Sequence, residues 1–301
     1  MEIVPGIHRI ESDLGPRFMC QYVLVGDERI VLIDTGIAGT PDAVIEPYLG
    51  SIGTSLEAVD EIIVSHADVD HCGGNRSVRT RNRSARFSCH ELDRRWIESN
   101  QAMLAENYRW YEPYGFGPDA ETIEWITTEL GGDCPIDWGL RGGETLRLGG
   151  GWRVQVLHLP GHTLGHIGLW DERSRALILI DAVLHDGIYD RAGNRLIPPR
   201  YYDARAYTAT IRSVQAMQPD VLLTAHFPVM EGSRAIEWLD ASLEFTHDVQ
   251  TAVDRAIDGG ITDLWELTRY ADERVGPYPE SMNELGASVR AHAGAPKVGQ
   301  R

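Results

Sequence analysis

The chain has 301 residues, 43% of them hydrophobic and 8% aromatic, so it can bury a large core as one catalytic unit without disulfide staples. Its 45 acidic residues against 28 basic ones give a formal charge of −17, which argues against a basic nucleic-acid-binding face and disfavours highly anionic small substrates. No apolar run approaches the roughly 18 residues of a membrane span, and Met-Glu-Ile-Val-Pro-Gly lacks the basic-then-apolar order of a secretory signal. The four cysteines, Cys20, Cys72, Cys89 and Cys134, form no C-x-x-C pair and read as reduced thiols of a cytoplasmic protein.

In chain order, Gln21 to Val25 and Arg29 to Ile33 read as strands joined at Gly26-Asp27-Glu28, and Asp34-Thr35-Gly36 ends the second. Thr40-Pro41-Asp42 has the hydroxyl, proline and acid that start a helix, expected to run to about Leu49. A strand at Glu61 to Val64 stops at Ser65. Residues 91 to 140 break this rhythm: they are helix-prone, carry Trp96, Tyr108, Trp110, Tyr111, Tyr114, Phe116, Trp125 and Trp138, and read as an insert, either a wall of a substrate pocket or ordinary packing. Strands return at Trp152 to Leu157 and Ala176 to Ile180. A helix near Ala204 to Met217 precedes a buried run at Val221 to Thr224. From Ser233 the chain is helical with breaks near Gly259 and Pro277. Residues 1–232 are therefore expected to form the catalytic domain and 233–301 a helical extension packed on it, which could support a homodimer or only cap the core.

The strongest chemical signal is Ser65-His66-Ala67-Asp68-Val69-Asp70-His71-Cys72-Gly73-Gly74, with four metal-ligating side chains in six residues directly after a strand. One compact loop cannot wrap two ions, so further ligands must come from elsewhere. Three later strand ends offer them: Leu159-Pro160-Gly161-His162-Thr163-Leu164-Gly165-His166, then Ile180-Asp181-Ala182, then Thr224-Ala225-His226. Cys72 reads as a small packing residue beside His71 more readily than as a ligand.

These pieces together resemble the metallo-β-lactamase superfamily, from about Ile7 to Gly232. The resemblance implies a four-layer αββα sandwich with a binuclear metal centre at one edge. It implies His66, Asp68 and His162 on a first metal, Asp70, His71 and His226 on a second, Asp181 bridging them, and Asp34 and His166 orienting ligands through hydrogen bonds. The family's usual loop is H-x-H-x-D-H, and Asp68 stands at its second histidine. A carboxylate there should lower the Lewis acidity of the first metal and move preference from zinc toward iron or manganese; the flavodiiron branch carries a glutamate at this position.

The activity implied is hydrolysis. A metal-bridging hydroxide, oriented by Asp70, would attack the ester, lactone or amide carbonyl of a small organic substrate, apolar or aromatic given the insert. His185 is the candidate to stabilise the oxyanion or protonate the leaving group. The quorum-sensing lactonases have a tyrosine where Leu184 stands, and the glutathione-binding loop of glyoxalase II is not matched by Val183 to Tyr189, so neither specific activity is read here. The alternatives are an iron-dependent redox enzyme, flavodiiron-like or sulfur dioxygenase-like, and a binding protein that has kept the fold without catalysis. Tyr201 and Tyr202, after Pro198-Pro199, either line the pocket or pack beneath a loop.

Overall fold

A computed structural model describes residues 1–279 and 282–294. Among these, two sheets lie face to face. The first is built from β1 (Glu2–Val4), β2 (Ile7–Leu14), β3 (Arg17–Val25), β4 (Ile30–Ile33), β5 (Glu61–Val64), β6 (Arg86–His90) and β7 (Trp138–Leu140), in that spatial order. Its first four strands run antiparallel and the rest pair in parallel. The second contains β8 (Thr145–Gly149), β9 (Trp152–His158), β10 (Ile167–Asp171), β11 (Ala176–Ile180), β14 (Val221–Thr224) and β15 (Met230–Glu231), ordered β15-β14-β11-β10-β9-β8. The short hairpin of β12 (Ile188–Tyr189) and β13 (Arg195–Ile197) stands apart.

The period of two along each strand divides the core into layers. Tyr22, Leu24, Ile33, Ile63, Ile178 and Leu223 meet between the sheets. Their alternate neighbours Val23, Leu32, Ile62 and Val64 face outward, under the helices of the first sheet. On the far side Leu177, Leu179 and Leu222 face outward beneath helix Ala204–Met217 and helix Ser233–Asp258. The result is the expected αββα sandwich.

Several expected elements are found with their bounds intact: Glu61–Val64, Ala176–Ile180, Ala204–Met217 and Val221–Thr224. The C-terminal extension breaks where Gly259 and Pro277 lie, into helices Ser233–Asp258, Leu264–Val275 and Met282–Ala293; residues 280, 281 and 295–301 of it lie outside the described residues. Two expectations need correction. Thr40 is itself helical, and its hydroxyl accepts the Ile37 N–H at 3.1 Å instead of capping the helix that Pro41–Ile45 begins. The stretch 91–140 is not wholly an insert, because Trp138–Leu140 pairs with Ser88–His90 as an edge strand of the first sheet. Its aromatic residues also part company. Tyr108 packs on the first sheet, while Tyr111 and Phe116 join Phe245, Leu264 and Leu285 in a separate core among the C-terminal helices.

The ends of β4, β5, β11 and β14, and the β9–β10 turn, lie at one edge of the sandwich. Backbone geometry there is unusual. Asp34 and Ile180 take φ of +63° and +54°. Ile180 is β-branched, so this conformation costs on the order of 1–3 kcal/mol and needs support from its surroundings. It coincides with a register irregularity against β14 between Ile178 and Ile180, and it turns the chain so that Asp181 leaves the sheet toward the site.

Ile178→Ala, which hollows the layer between the sheets, is expected to lower unfolding stability by about 2–5 kcal/mol. Chemical denaturation of the variant checks this; a loss below about 1 kcal/mol would mean that this layer is not close-packed.

Candidate metal centre

Seven side chains from four segments converge at that edge. His66, Asp68, Asp70 and His71 come from the loop and short helix after β5, His162 from the β9–β10 turn, Asp181 from the end of β11 and His226 from the end of β14. All are buried. Their ligand atoms form three overlapping groups: His66, Asp68 and His162; Asp70, His71 and His226; and His66, His71 and Asp181, each within 4.8 Å. The last group joins the other two, so Asp181 sits between them.

The hydrogen bonds on the outer side of each imidazole fix which nitrogen faces inward. His71 Nδ1 donates to Asp34 Oδ2 at 2.8 Å, His162 Nδ1 to the Arg200 carbonyl at 2.7 Å, and His226 Nδ1 to the Phe18 carbonyl at 2.9 Å. Ser65 Oγ donates to Asp34 Oδ2, so it accepts from His66 Nδ1 at 2.9 Å. In their neutral forms all four rings therefore present an Nε2 lone pair to the centre. There these lone pairs meet carboxylate oxygens. His66 and His162 Nε2 lie 3.3 and 3.1 Å from Asp68 Oδ2; His71 and His226 Nε2 lie 3.3 and 3.1 Å from Asp181 Oδ2. Asp70 is 3.5 Å from His226 and 3.9 Å from His71.

Acceptors do not pack against acceptors in a buried site unless a cation lies between them. Metal–ligand bonds of about 2.0–2.1 Å at tetrahedral angles place ligand atoms about 3.3–3.4 Å apart, close to the separations found here. His66 Nε2, His71 Nε2 and Asp181 Oδ1 are buried with no hydrogen-bond partner. The residues present thus fit divalent metal ions. Without them, protons are drawn in unevenly. His71 is held well above the ordinary histidine value, against the penalty of burial, by Asp181, Asp70 and Asp34. Burial and the neighbouring His71 instead push His66 down to about 4.

The second tier is only partly as expected. Asp34 accepts from Ser65 N, Ser65 Oγ and His71 Nδ1 and so positions two ligands at once. His166 is buried and stacks on His66 at 4.6 Å between ring centroids, but neither nitrogen has a hydrogen-bond partner; it supports its neighbour by packing. Cys72 Sγ donates to the Asp68 carbonyl at 3.1 Å and belongs to none of the three ligand groups. Tyr201 and Tyr202 pack beneath the loop, on Tyr207 and against Asn107 respectively. His185 lies outside the ligand groups. Its ring stacks on Trp238 at 5.6 Å, its Nδ1 lies 2.6 Å from Asp186, and it does not line the cavity over the cluster.

Three further positions matter here that no sequence motif marks. Asp93 latches two ligand loops together: it accepts from Ala67 N at 3.2 Å, Thr163 Oγ1 at 2.5 Å and Gly165 N at 2.7 Å. Burial pushes its carboxyl up to about 6, although these three donors favour the charged form. Arg200 forms an ion pair with Asp68, and Glu284 from the last helix lies 3.1 Å from its Nε. The one local signal for Arg200 is its place directly after the Pro198-Pro199 pair, which fixes the backbone before it.

A cavity of about 820 Å³ opens over the cluster. Its floor includes Asp68, Asp70, His162, Asp181 and His226, and Trp125, Ile126, Leu184 and Ile188 form apolar walls. Arg17, from the tip of the β2–β3 hairpin, faces the same space. Its Nε is buried without a hydrogen-bond partner, and it makes no ion pair among the described residues.

Residues 15–226 match the model of the metallo-beta-lactamase superfamily, and the chain belongs to that superfamily. It is 22% identical over 253 residues to the "Probable metallo-hydrolase YqjP" of Bacillus subtilis, covering 77% of this chain and 75% of that protein. It is 24% identical over 169 residues to the hydroxyacylglutathione hydrolase GloC of Haemophilus influenzae, covering 56% and 68%. Its fold resembles that of the metallo-beta-lactamase family protein TTHA1429 of Thermus thermophilus, with a TM-score of 0.74 at 20% identity over 97% of this chain and 93% of that one. No helix among the described residues is long and apolar enough to cross a membrane.

Asp34→Asn keeps the size of the side chain and suits a left-handed backbone, but whichever way its amide turns the NH2 faces a donor, either Ser65 N or the Ser65 Oγ and His71 Nδ1 pair. Metal affinity, read by chelator competition, is expected to fall about 10- to 100-fold. An unchanged affinity would mean that Asp34 does not orient His71.

Proposed function

We propose that this protein is a metal-dependent hydrolase that cleaves the ester, lactone or amide carbonyl of a small organic substrate. The observation that carries this reading is the inward direction of four imidazole Nε2 atoms onto shared carboxylate oxygens, at the floor of a cavity large enough for a small molecule. The two relatives named as hydrolases support the reaction class.

His66, Asp68 and His162 would hold one divalent ion, Asp70, His71 and His226 a second, and Asp181 would lie between, with zinc as the expected metal and iron or manganese as alternatives because of Asp68. Such ions lower the pKa of water and polarise a carbonyl oxygen. The chain's own contribution is position and proton handling. Asp70 is at the cavity floor with an oxygen 3.5 Å from His226, where it can orient an attacking water and accept its proton. Trp125, Ile126, Leu184 and Ile188 exclude solvent from one side of the substrate and suit an apolar or ring-bearing group. Arg17 is the uncommitted donor and can take a substrate oxygen. His185, turned onto Trp238, is not assigned a proton-transfer role.

The test is a turnover screen of zinc-, manganese- and iron-loaded protein on lactones, aryl esters, β-lactams and thioesters, with Asp70→Asn as control. Hydrolysis that is lost on chelation, and that falls on the order of 10²–10⁴-fold in Asp70→Asn, is expected. Turnover that survives chelation, or oxygen consumption by the iron form without hydrolysis, would contradict the proposal.

A further inference from the structure

Asp68 stands where the resemblance to the superfamily implies an imidazole, and its surroundings answer the departure. Oδ1 accepts from Asn107 Nδ2 at 3.2 Å and from the Tyr108 hydroxyl at 3.1 Å. Oδ2, the oxygen that faces His66 and His162, is ion-paired with Arg200 Nη2. Arg200 is itself buried; its guanidinium is held charged, against the penalty of burial, by Asp68 and Glu284, and it has few other partners. Its backbone carbonyl also accepts from His162 Nδ1 at 2.7 Å. One residue therefore touches two of the three ligands in the His66–Asp68–His162 group, one through its charge and one through its backbone.

The last helix fixes where that residue sits. Ser288 Oγ donates to the Pro199 carbonyl at 2.6 Å and accepts from Tyr201 N at 3.1 Å, which clamps the loop on both sides of Arg200. Glu284, one turn earlier, places a carboxylate oxygen 3.1 Å from Arg200 Nε, near enough to share its charge without hydrogen-bond geometry.

Charge makes the logic plain. Replacing a neutral imidazole with a carboxylate adds one negative charge to a buried site that already holds Asp34, Asp70 and Asp181. A guanidinium on the same oxygen cancels that charge, and the pair is neutral like the imidazole it replaces.

We propose that Asp68 and Arg200 act as a single unit in place of a histidine ligand. Asp68 supplies the oxygen, while Arg200 cancels its charge and aims both Asp68 and His162, making Arg200 a positioning residue that sets the affinity and metal preference of this ligand group. This rests on the metal-centre reading above.

The test is metal stoichiometry and affinity by elemental analysis and chelator competition. It compares the wild type, Arg200→Met, Arg200→Lys, Asp68→His and the Asp68→His/Arg200→Met double variant, with far-ultraviolet circular dichroism to confirm folding. The wild type is expected to bind two zinc ions. Arg200→Met should weaken one of them about 10- to 100-fold and leave the other within a few-fold. Asp68→His should be impaired while Arg200 remains, because it leaves the guanidinium beside the metal with only Glu284, on its Nε edge, to offset its charge. The double variant should recover the lost ion, which a purely structural role for Arg200 would not produce. Arg200→Lys, which keeps the charge and the backbone carbonyl, should lie between wild type and Arg200→Met, and stands in if that variant does not fold. With cobalt in place of zinc, the visible absorption of Arg200→Met should differ from wild type and that of the double variant should return toward strong tetrahedral bands. Unchanged affinity in both Arg200 variants, or a double variant no better than the singles, would overturn the pairing. A wild type that binds no metal would instead sink the reading on which it rests.

Discussion

The structure turns on a conflict of like groups. Four imidazole lone pairs and three carboxylates are buried within a few ångströms of one another, the imidazoles held there by bonds on their outer sides. Burying that many acceptors face to face is unfavourable unless positive charge stands between them. Protons alone resolve the conflict poorly: burial drives His66 down to about 4 while nearby carboxylates hold His71 up. Divalent cations would resolve it at every one of these side chains at once, and their binding would offset the cost of strained residues such as Ile180 and a buried latch such as Asp93.

The elements legible in the sequence were those with one dominant signal. Ala176–Ile180 and Val221–Thr224 are short apolar runs bounded by polar residues, and they are central strands buried on both faces. The clustering of the seven side chains was legible because they follow such strands at their ends, where a sheet sandwich exposes its edge. The strands β1 and β2 were not anticipated, since the apolar residues of the second, Ile7, Ile10 and Leu14, fall three and four apart and do not alternate with polar ones. Thr40 has the chemistry of a cap, but the turn at Gly36 recruits its hydroxyl for the Ile37 N–H. His185 follows Asp181 by four residues, a spacing that suggests the site, yet its φ of +52° and the stack on Trp238 take it elsewhere. Arg200 and Glu284 carried no motif, because their meaning lies in the contact of Arg200 with Asp68, 132 residues away in sequence, and of Glu284 with Arg200.

The regions outside the sandwich shape what the centre can accept. Part of the aromatic stretch, Tyr108, Trp125 and Ile126, lines the cavity, while Tyr111 and Phe116 serve only to seat it on the C-terminal helices. Those helices reach back to the site through Glu284 and Ser288, so the extension is a structural part of the centre as well as a cap on the core.

The most direct test of the central claim is a crystal of the zinc-loaded protein measured on both sides of the zinc absorption edge. The account predicts anomalous peaks within bonding distance of His66 and His162 and of His71 and His226, with Asp181 between them. Peaks elsewhere, or none at these imidazoles in zinc-saturated protein, would contradict it.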